Sequence, residues 1–182
     1  MKLSVRLAGI AAAVLGLVAI ASPAAPAGAQ ATGAISLAET MRGKPLAEQV
    51  EAYGRTETDN QEQDCLASAV YFEARGESVE GQLAVAEVVL NRTRSGKYPA
   101  SICGVVEQPW QFSFVNRTGR IPAANRSSEA WRKAVAIARI AQDRVSDTLT
   151  DGVLWYHADY VAPSWGRRLN RETKIGVHIF YS

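Results

Sequence analysis

The residue in this 182-residue chain best placed for chemistry is Glu73, which directly follows Val70-Tyr71-Phe72 at the end of a predicted helix. An apolar setting disfavours the charged carboxylate, so a carboxyl there keeps a proton available for a leaving group. Spacing alone equally allows an ordinary helix-end glutamate paired with Arg75. Glu77 and Glu80 follow on the same side of the sequence, but Gly76 interrupts the helix, and a single carboxylate face does not follow.

Aromatic residues supply a second pattern. Trp110-Gln111-Phe112-Ser113-Phe114 and Trp155-Tyr156-His157, with Tyr160 and Trp165 nearby, set flat apolar faces beside amide, hydroxyl and imidazole groups. Sugar rings have apolar faces and hydroxyl edges, so the mixture suits an elongated glycan groove; the alternative use of such residues is core packing. His157, Asp159 and His178 form a third set, since two imidazoles and a carboxylate suit zinc in a metal-dependent peptidase. The His-x-Asp spacing is commonplace, and His178 reads better as a residue that orients the site or bonds within a sheet. There is no Gly-x-Ser-x-Gly elbow, phosphate-binding glycine-rich loop or His-Glu-x-x-His helix, which argues against serine hydrolase, nucleotide-binding and zincin chemistry.

The elements that must position these groups read as helices first and strands later. Asp64 caps a predicted helix with Leu66, Ala69, Val70 and Phe72 inward, ending near Arg75-Gly76. Ser78 caps a second, Val79 to Arg92, apolar around most of its circumference and therefore central. A third begins near Ser127 and Ser128 and buries Trp131, Ala134, Val135, Ala138 and Ile140-Ala141. Val153 to His157 is a short apolar and aromatic run, and residues 175 to 182 alternate in period two with Ile175, Val177, Ile179 and Tyr181 on one face. These two segments are expected to pair, giving an α+β domain with a helical core and a small C-terminal antiparallel β-sheet.

Residues 64–182 are expected to form this domain. Residues 30–63, with three basic and six acidic residues and two ragged polar runs, read as a polar tether. A short helix around Leu37 to Tyr53 is allowed there, interrupted by Gly43 and Pro45. Residues 1–29 read as a secretory signal peptide: Lys2 and Arg6, an apolar stretch from Leu7 to Ile20, then Ala27-Gly28-Ala29. The apolar run is short for a spanning helix, so no stable membrane insertion is expected once the signal is removed. The mature chain then holds 18 basic and 18 acidic residues, a balance that gives no push toward nucleic acid. Cys65 and Cys103 survive in an exported chain, where an even count favours a disulfide. It would close a loop of about 38 residues and contribute on the order of 3 to 4 kcal/mol; two unpaired thiols are the alternative.

The stretch Ala67-Ser68-Ala69-Val70-Tyr71-Phe72-Glu73-Ala74-Arg75-Gly76-Glu77, continued by Glu80-Gly81-Gln82 and Ala84-Val85-Ala86-Glu87-Val88-Val89-Leu90-Asn91-Arg92, resembles the SleB/CwlJ cell wall hydrolase family. Tyr98-Pro99, Ser101 to Val106, Gln111-Phe112-Ser113, Trp155-Tyr156-His157 and the run Lys174 to Tyr181 follow in the family's order, so the resemblance covers about residues 64 to 182. It implies a lysozyme-like α+β fold acting on peptidoglycan, with Glu73 as catalytic acid and Gln111, Phe112, Trp155, Tyr156, His157, Glu77 and His178 as substrate-binding residues. A glycosidase that uses water needs two carboxyls, whereas a lytic transglycosylase needs one; because Glu77, Glu80 and Asp159 are weaker partners for Glu73, transglycosylation is favoured. A hydrolytic muramidase and a non-catalytic peptidoglycan-binding or scaffold protein are the alternatives. No cofactor or metal is expected, and the expected form is a monomer in the periplasm, in the cell wall or outside the cell. Family members acting on spore cortex commonly carry an N-terminal peptidoglycan-binding repeat; residues 30–63 are too short and polar to be one, and cortex specificity is not carried over.

Overall fold

In the computed structural model, which describes residues 35–182, short polar residues set most of the helix starts. The helices are α1 (Leu37–Met41), α2 (Leu46–Tyr53), α3 (Gln61–Ala74), α4 (Val79–Arg94), α5 (Ile102–Val106) and α6 (Glu129–Gln142). Ser36, Asn60, Ser78, Ser101 and Ser128 each accept a backbone N–H of the first turn of α1, α3, α4, α5 and α6, pairing donors the helix itself leaves free. Three strands follow, β1 (Trp155–Ala158), β2 (Arg171–Ile175) and β3 (His178–Tyr181).

The apolar circumference of α4 places it at the centre, with Leu83 to Val89 buried on every side. A large core joins α3, α4 and α6 through Leu66, Val70, Leu83, Trp131, Ile137 and Ile140. A much smaller one, Ala84, Val88, Val153 and Phe180, seats the sheet against α4. Cys65 on α3 is disulfide-bonded to Cys103 on α5, with Cα atoms 5.2 Å apart.

Residues 35–63 are packed, which corrects the expected tether. α2 buries Gln49, Val50 and Tyr53, and the Gln49 amide donates to the Lys44 carbonyl at 2.9 Å and to Ser146 Oγ at 2.7 Å. The polar run after it is equally engaged: Arg139 donates to the Glu57 carbonyl and to Asp59, and Trp131 Nε1 donates to the Thr56 carbonyl. Its polarity marks hydrogen-bonding partners rather than solvent. Gly43 (φ +75°) and Pro45 do separate α1 from α2 as their residue types require. α3 begins three residues before Asp64, whose carboxylate instead pairs with both terminal nitrogens of Arg126 at 2.7 and 2.9 Å.

The sheet is antiparallel throughout in the order β1-β3-β2. The expected pairing of the Trp155 region with the C-terminal run is present, with Trp155 opposite Tyr181 and His157 opposite Ile179. The C-terminal run, however, is a hairpin rather than one strand: Gly176 (φ +57°) turns the chain between β2 and β3. His178 and Phe180 lie in the interior and Val177 is exposed, against the face read from alternation, although Tyr181 of that face is buried too. The leader expected at residues 1–29 lies outside the described residues, as do residues 30–34. No helix among the described residues is long and apolar enough to cross a membrane.

Candidate active site

Glu73 occupies the last turn of α3, half-buried at a groove of about 620 Å³. Its Oε1 accepts Ser113 Oγ–H at 3.1 Å and its Oε2 accepts Tyr156 Oη–H at 3.2 Å. Ser113 comes from the loop after α5, and Tyr156 from β1, so the carboxyl is gripped from two sides. Burial first, and then the negative charge of Glu73, hold the Tyr156 phenol well above its ordinary value, which keeps it a donor.

α4 fixes β1 in place. Glu87 accepts the N–H groups of Thr148 and Leu149 at 2.8 and 3.0 Å. Asn91 donates to the carbonyls of Thr150 and Val153, and Arg92 Nε to that of Leu154 at 2.8 Å. The strand that carries Trp155 and Tyr156 is thus tied by its entry segment to three side chains of one helix. Burial pushes the Glu87 carboxyl up to about 7. Arg92 also lines the groove, its guanidinium carbon 5.1 Å from the Tyr98 ring centre and 5.6 Å from that of Phe112. Burial pulls it below the usual arginine value, while the neighbouring tyrosines and Glu73 oppose that pull.

The two histidines are held differently. His157 faces the Ala158 carbonyl through Nδ1 at 2.8 Å and Tyr181 Oη through Nε2 at 2.9 Å. The carbonyl can only accept, so Nδ1 carries a proton, and in the neutral ring Nε2 accepts the hydroxyl. His178 is buried, with its ring edge-on to Tyr156 at 5.1 Å, and burial lowers its pKa. Asp159 pairs with Lys174 at 2.6 Å, which holds its carboxyl below the usual value. His157, Asp159 and His178 therefore do not form a metal site: both nitrogens of one and the carboxylate of another are committed elsewhere. The acidic and thiol groups that do converge among the described residues, Cys65, Cys103 and Glu107, include two sulfurs consumed in the disulfide.

Six of the residues expected from sequence meet in this groove: Glu73, Gln111, Trp155, Tyr156, His157 and His178. Two do not. Phe112 is only 3% exposed and packs on Phe114 beneath Arg92, so it is core. Glu77 turns away to accept the Val177 N–H at 3.0 Å. Ser113 and Arg92 had no assigned role in the sequence reading. A signal for Arg92 was there, since a charge on a helix that is apolar all round must be buried with partners. The rim adds Trp110 and Tyr160, 77% and 83% exposed, from two separate segments. A carboxyl gripped by two hydroxyls below an aromatic rim can deliver a proton to an oxygen of a sugar lying in the groove and take one back.

A family model described as Cell Wall Hydrolase matches residues 76–181. A spore cortex-lytic enzyme of Bacillus subtilis (strain 168) is 37% identical over 115 residues, 63% of this chain and 35% of that protein. One of Bacillus cereus is 36% identical over the same length, 42% of that protein. The chain thus matches well under half the length of these curated relatives. Among solved structures, the catalytic domain of the germination-specific lytic transglycosylase SleB from Bacillus anthracis superposes with a TM-score of 0.54 at 31% identity, covering 69% of this chain and 99% of that one. The catalytic domain of the Bacillus cereus SleB protein gives 0.52 at 32% identity, covering 71% and 98%.

Proposed function

The chain belongs to the Cell Wall Hydrolase family, and we propose that it cuts the glycan strand of peptidoglycan between N-acetylmuramic acid and N-acetylglucosamine by lytic transglycosylation. The observation that carries this reading is that Glu73 is the one carboxylate among the described residues that line the groove. Hydrolysis through water needs a second carboxyl about 5 to 9.5 Å away. The transglycosylase route does not, because the substrate supplies its own nucleophile.

Glu73 protonates the glycosidic oxygen as the bond to the muramic acid anomeric carbon breaks. The resulting carboxylate keeps the hydroxyls of Ser113 and Tyr156 as donors. The muramic acid 6-hydroxyl then attacks the anomeric carbon and yields its proton to Glu73, giving a 1,6-anhydro sugar and restoring the acid. Gln111 and Trp155 supply an amide and an aromatic face to the sugar beside the scissile bond, and His157, fixed by its two hydrogen bonds, presents a defined ring edge. Export through the segment 1–29 would bring the domain to this substrate as a monomer.

Glu73→Gln tests the reading. The variant is expected to fold and bind glycan strands while losing ~10²- to 10⁴-fold in turnover. Reducing-end analysis of digested peptidoglycan is expected to find 1,6-anhydro-muramic ends; free reducing ends would establish a hydrolytic muramidase, and absence of products a binding or scaffold role.

A further inference from the structure

Glu77 stands in the link between α3 and α4 with its backbone fixed: its N–H donates to the Ala74 carbonyl at 2.9 Å and its carbonyl accepts Gln82 Nε2 at 3.1 Å. From there its side chain crosses to the sheet, where Oε2 accepts the Val177 N–H at 3.0 Å. The Val177 carbonyl accepts the Asp159 N–H at 2.7 Å, so this one residue ties the hairpin to both the helix link and the exit of β1. Gly176 is fitted to the same carboxylate. Its φ of +57° suits glycine, and a Cβ on it would overlap Glu77 Oε2.

The next residue along the hairpin is His178, 6% exposed, whose ring meets Tyr156 edge-on at 5.1 Å. Tyr156 in turn donates to Glu73 at 3.2 Å. These contacts make a closed circuit that leaves the helical layer at Glu77 and re-enters it at Glu73.

We propose that Glu77 is a positioning residue for the reaction, its side-chain oxygen setting the height of the β2–β3 hairpin and, through His178, the point where Tyr156 meets Glu73. The inference rests on Glu73 being the catalytic acid. The role requires an acceptor oxygen rather than an ionisable group. A second catalytic carboxyl would require the reverse, so glutamine at this position separates the two.

The experiment compares Glu77→Ala and Glu77→Gln with the wild type on purified peptidoglycan, together with hydrogen exchange at the Val177 amide. Displacing a reacting group by about an ångström costs up to ~10²-fold. Glu77→Ala is expected to lower kcat by roughly 10- to 100-fold with KM within about twofold. Glu77→Gln is expected to restore most of kcat, and the Val177 amide to exchange fast in the alanine variant and slowly in the glutamine variant. If alanine unfolds the chain, Glu77→Asp, one methylene too short to reach, is expected to reproduce the kcat loss. Glutamine as inactive as Glu73→Gln would overturn the proposal in favour of carboxylate chemistry, and a rise in KM alone would overturn it in favour of substrate contact. Unchanged kcat or unchanged exchange in the alanine variant would also overturn it. If the wild type leaves peptidoglycan intact, the catalytic reading fails, whereas slow exchange that persists in the alanine variant makes the positional one fail by itself.

Discussion

The two faces of α4 are held to their neighbours by different physics. On the α3 and α6 side the contact is a broad apolar interlock with Trp131, Ile137 and Ile140 fully buried. On the sheet side just four fully packed residues, Ala84, Val88, Val153 and Phe180, form the cluster. There Glu87, Asn91 and Arg92 bond to the backbone of residues 148 to 154 instead. Apolar packing is strong but non-directional, whereas hydrogen bonds to a fixed backbone set distances. The face that supplies β1 to the groove is the one fixed by direction.

The sharpest way to break this contrast is on the apolar side. Trp131→Ala removes a fully buried indole and orphans the Thr56 carbonyl, and is expected to cost ~3 to 5 kcal/mol. Measured by denaturant unfolding beside turnover, the fraction that remains folded is expected to keep full specific activity. A loss of activity in that fraction would mean that the helical layer also sets the groove.

The sheet side predicts a pH dependence that the apolar side lacks. Glu87 titrates near 4.5 when unfolded and near 7 when folded, because burial disfavours its charge. The folded state therefore keeps this proton longer, and the group stabilises the fold fully below about pH 4.5, less as pH rises, and not at all beyond about 7. The loss across that window is on the order of 3 kcal/mol. Glu87→Gln is expected to flatten this part of the stability profile, at some cost from an amide nitrogen facing N–H donors. Parallel profiles for variant and wild type would show that another group carries the slope.

Gln111→Ala is the smallest change in stability, within about 0.5 kcal/mol, because the side chain lines the groove and has no side-chain hydrogen bond to any of the described residues. Turnover on glycan strands is expected to fall severalfold with the melting temperature unchanged. A coincident drop in melting temperature would return Gln111 to the packing.

Legibility in the sequence follows the same divide. The caps Ser78 and Ser128 and the central place of α4 could be read because local chemistry and apolar period decide them. The place of Glu73 at the groove was readable from its apolar approach and its motif. β2 was not: Arg-Glu-Thr-Lys-Ile is an edge strand with no apolar rhythm, and its pairing is decided by β3. The inward face of β3 was misread because both of its faces are covered, His178 and Phe180 on one and Tyr181 on the other, so alternation could not choose between them. The docking of α2 and of the polar run after it was invisible because their partners, Ser146, Trp131 and Arg139, lie 75 to 97 positions away in sequence. Phe112 and Gln111 are neighbours of similar promise on paper, and a loop's path alone sends one inward and the other to the groove.

The order of the sheet, β1-β3-β2, has a consequence for synthesis. β3 is both the middle strand and the last of the three in chain order, so neither outer strand has a partner in the sheet until Tyr181 has been made. Before that moment β1, which carries Tyr156 toward Glu73, is held only by the tie of its entry segment to α4. β3 also supplies His178 to the groove, so the strand that completes the sheet completes the lining around Glu73 as well.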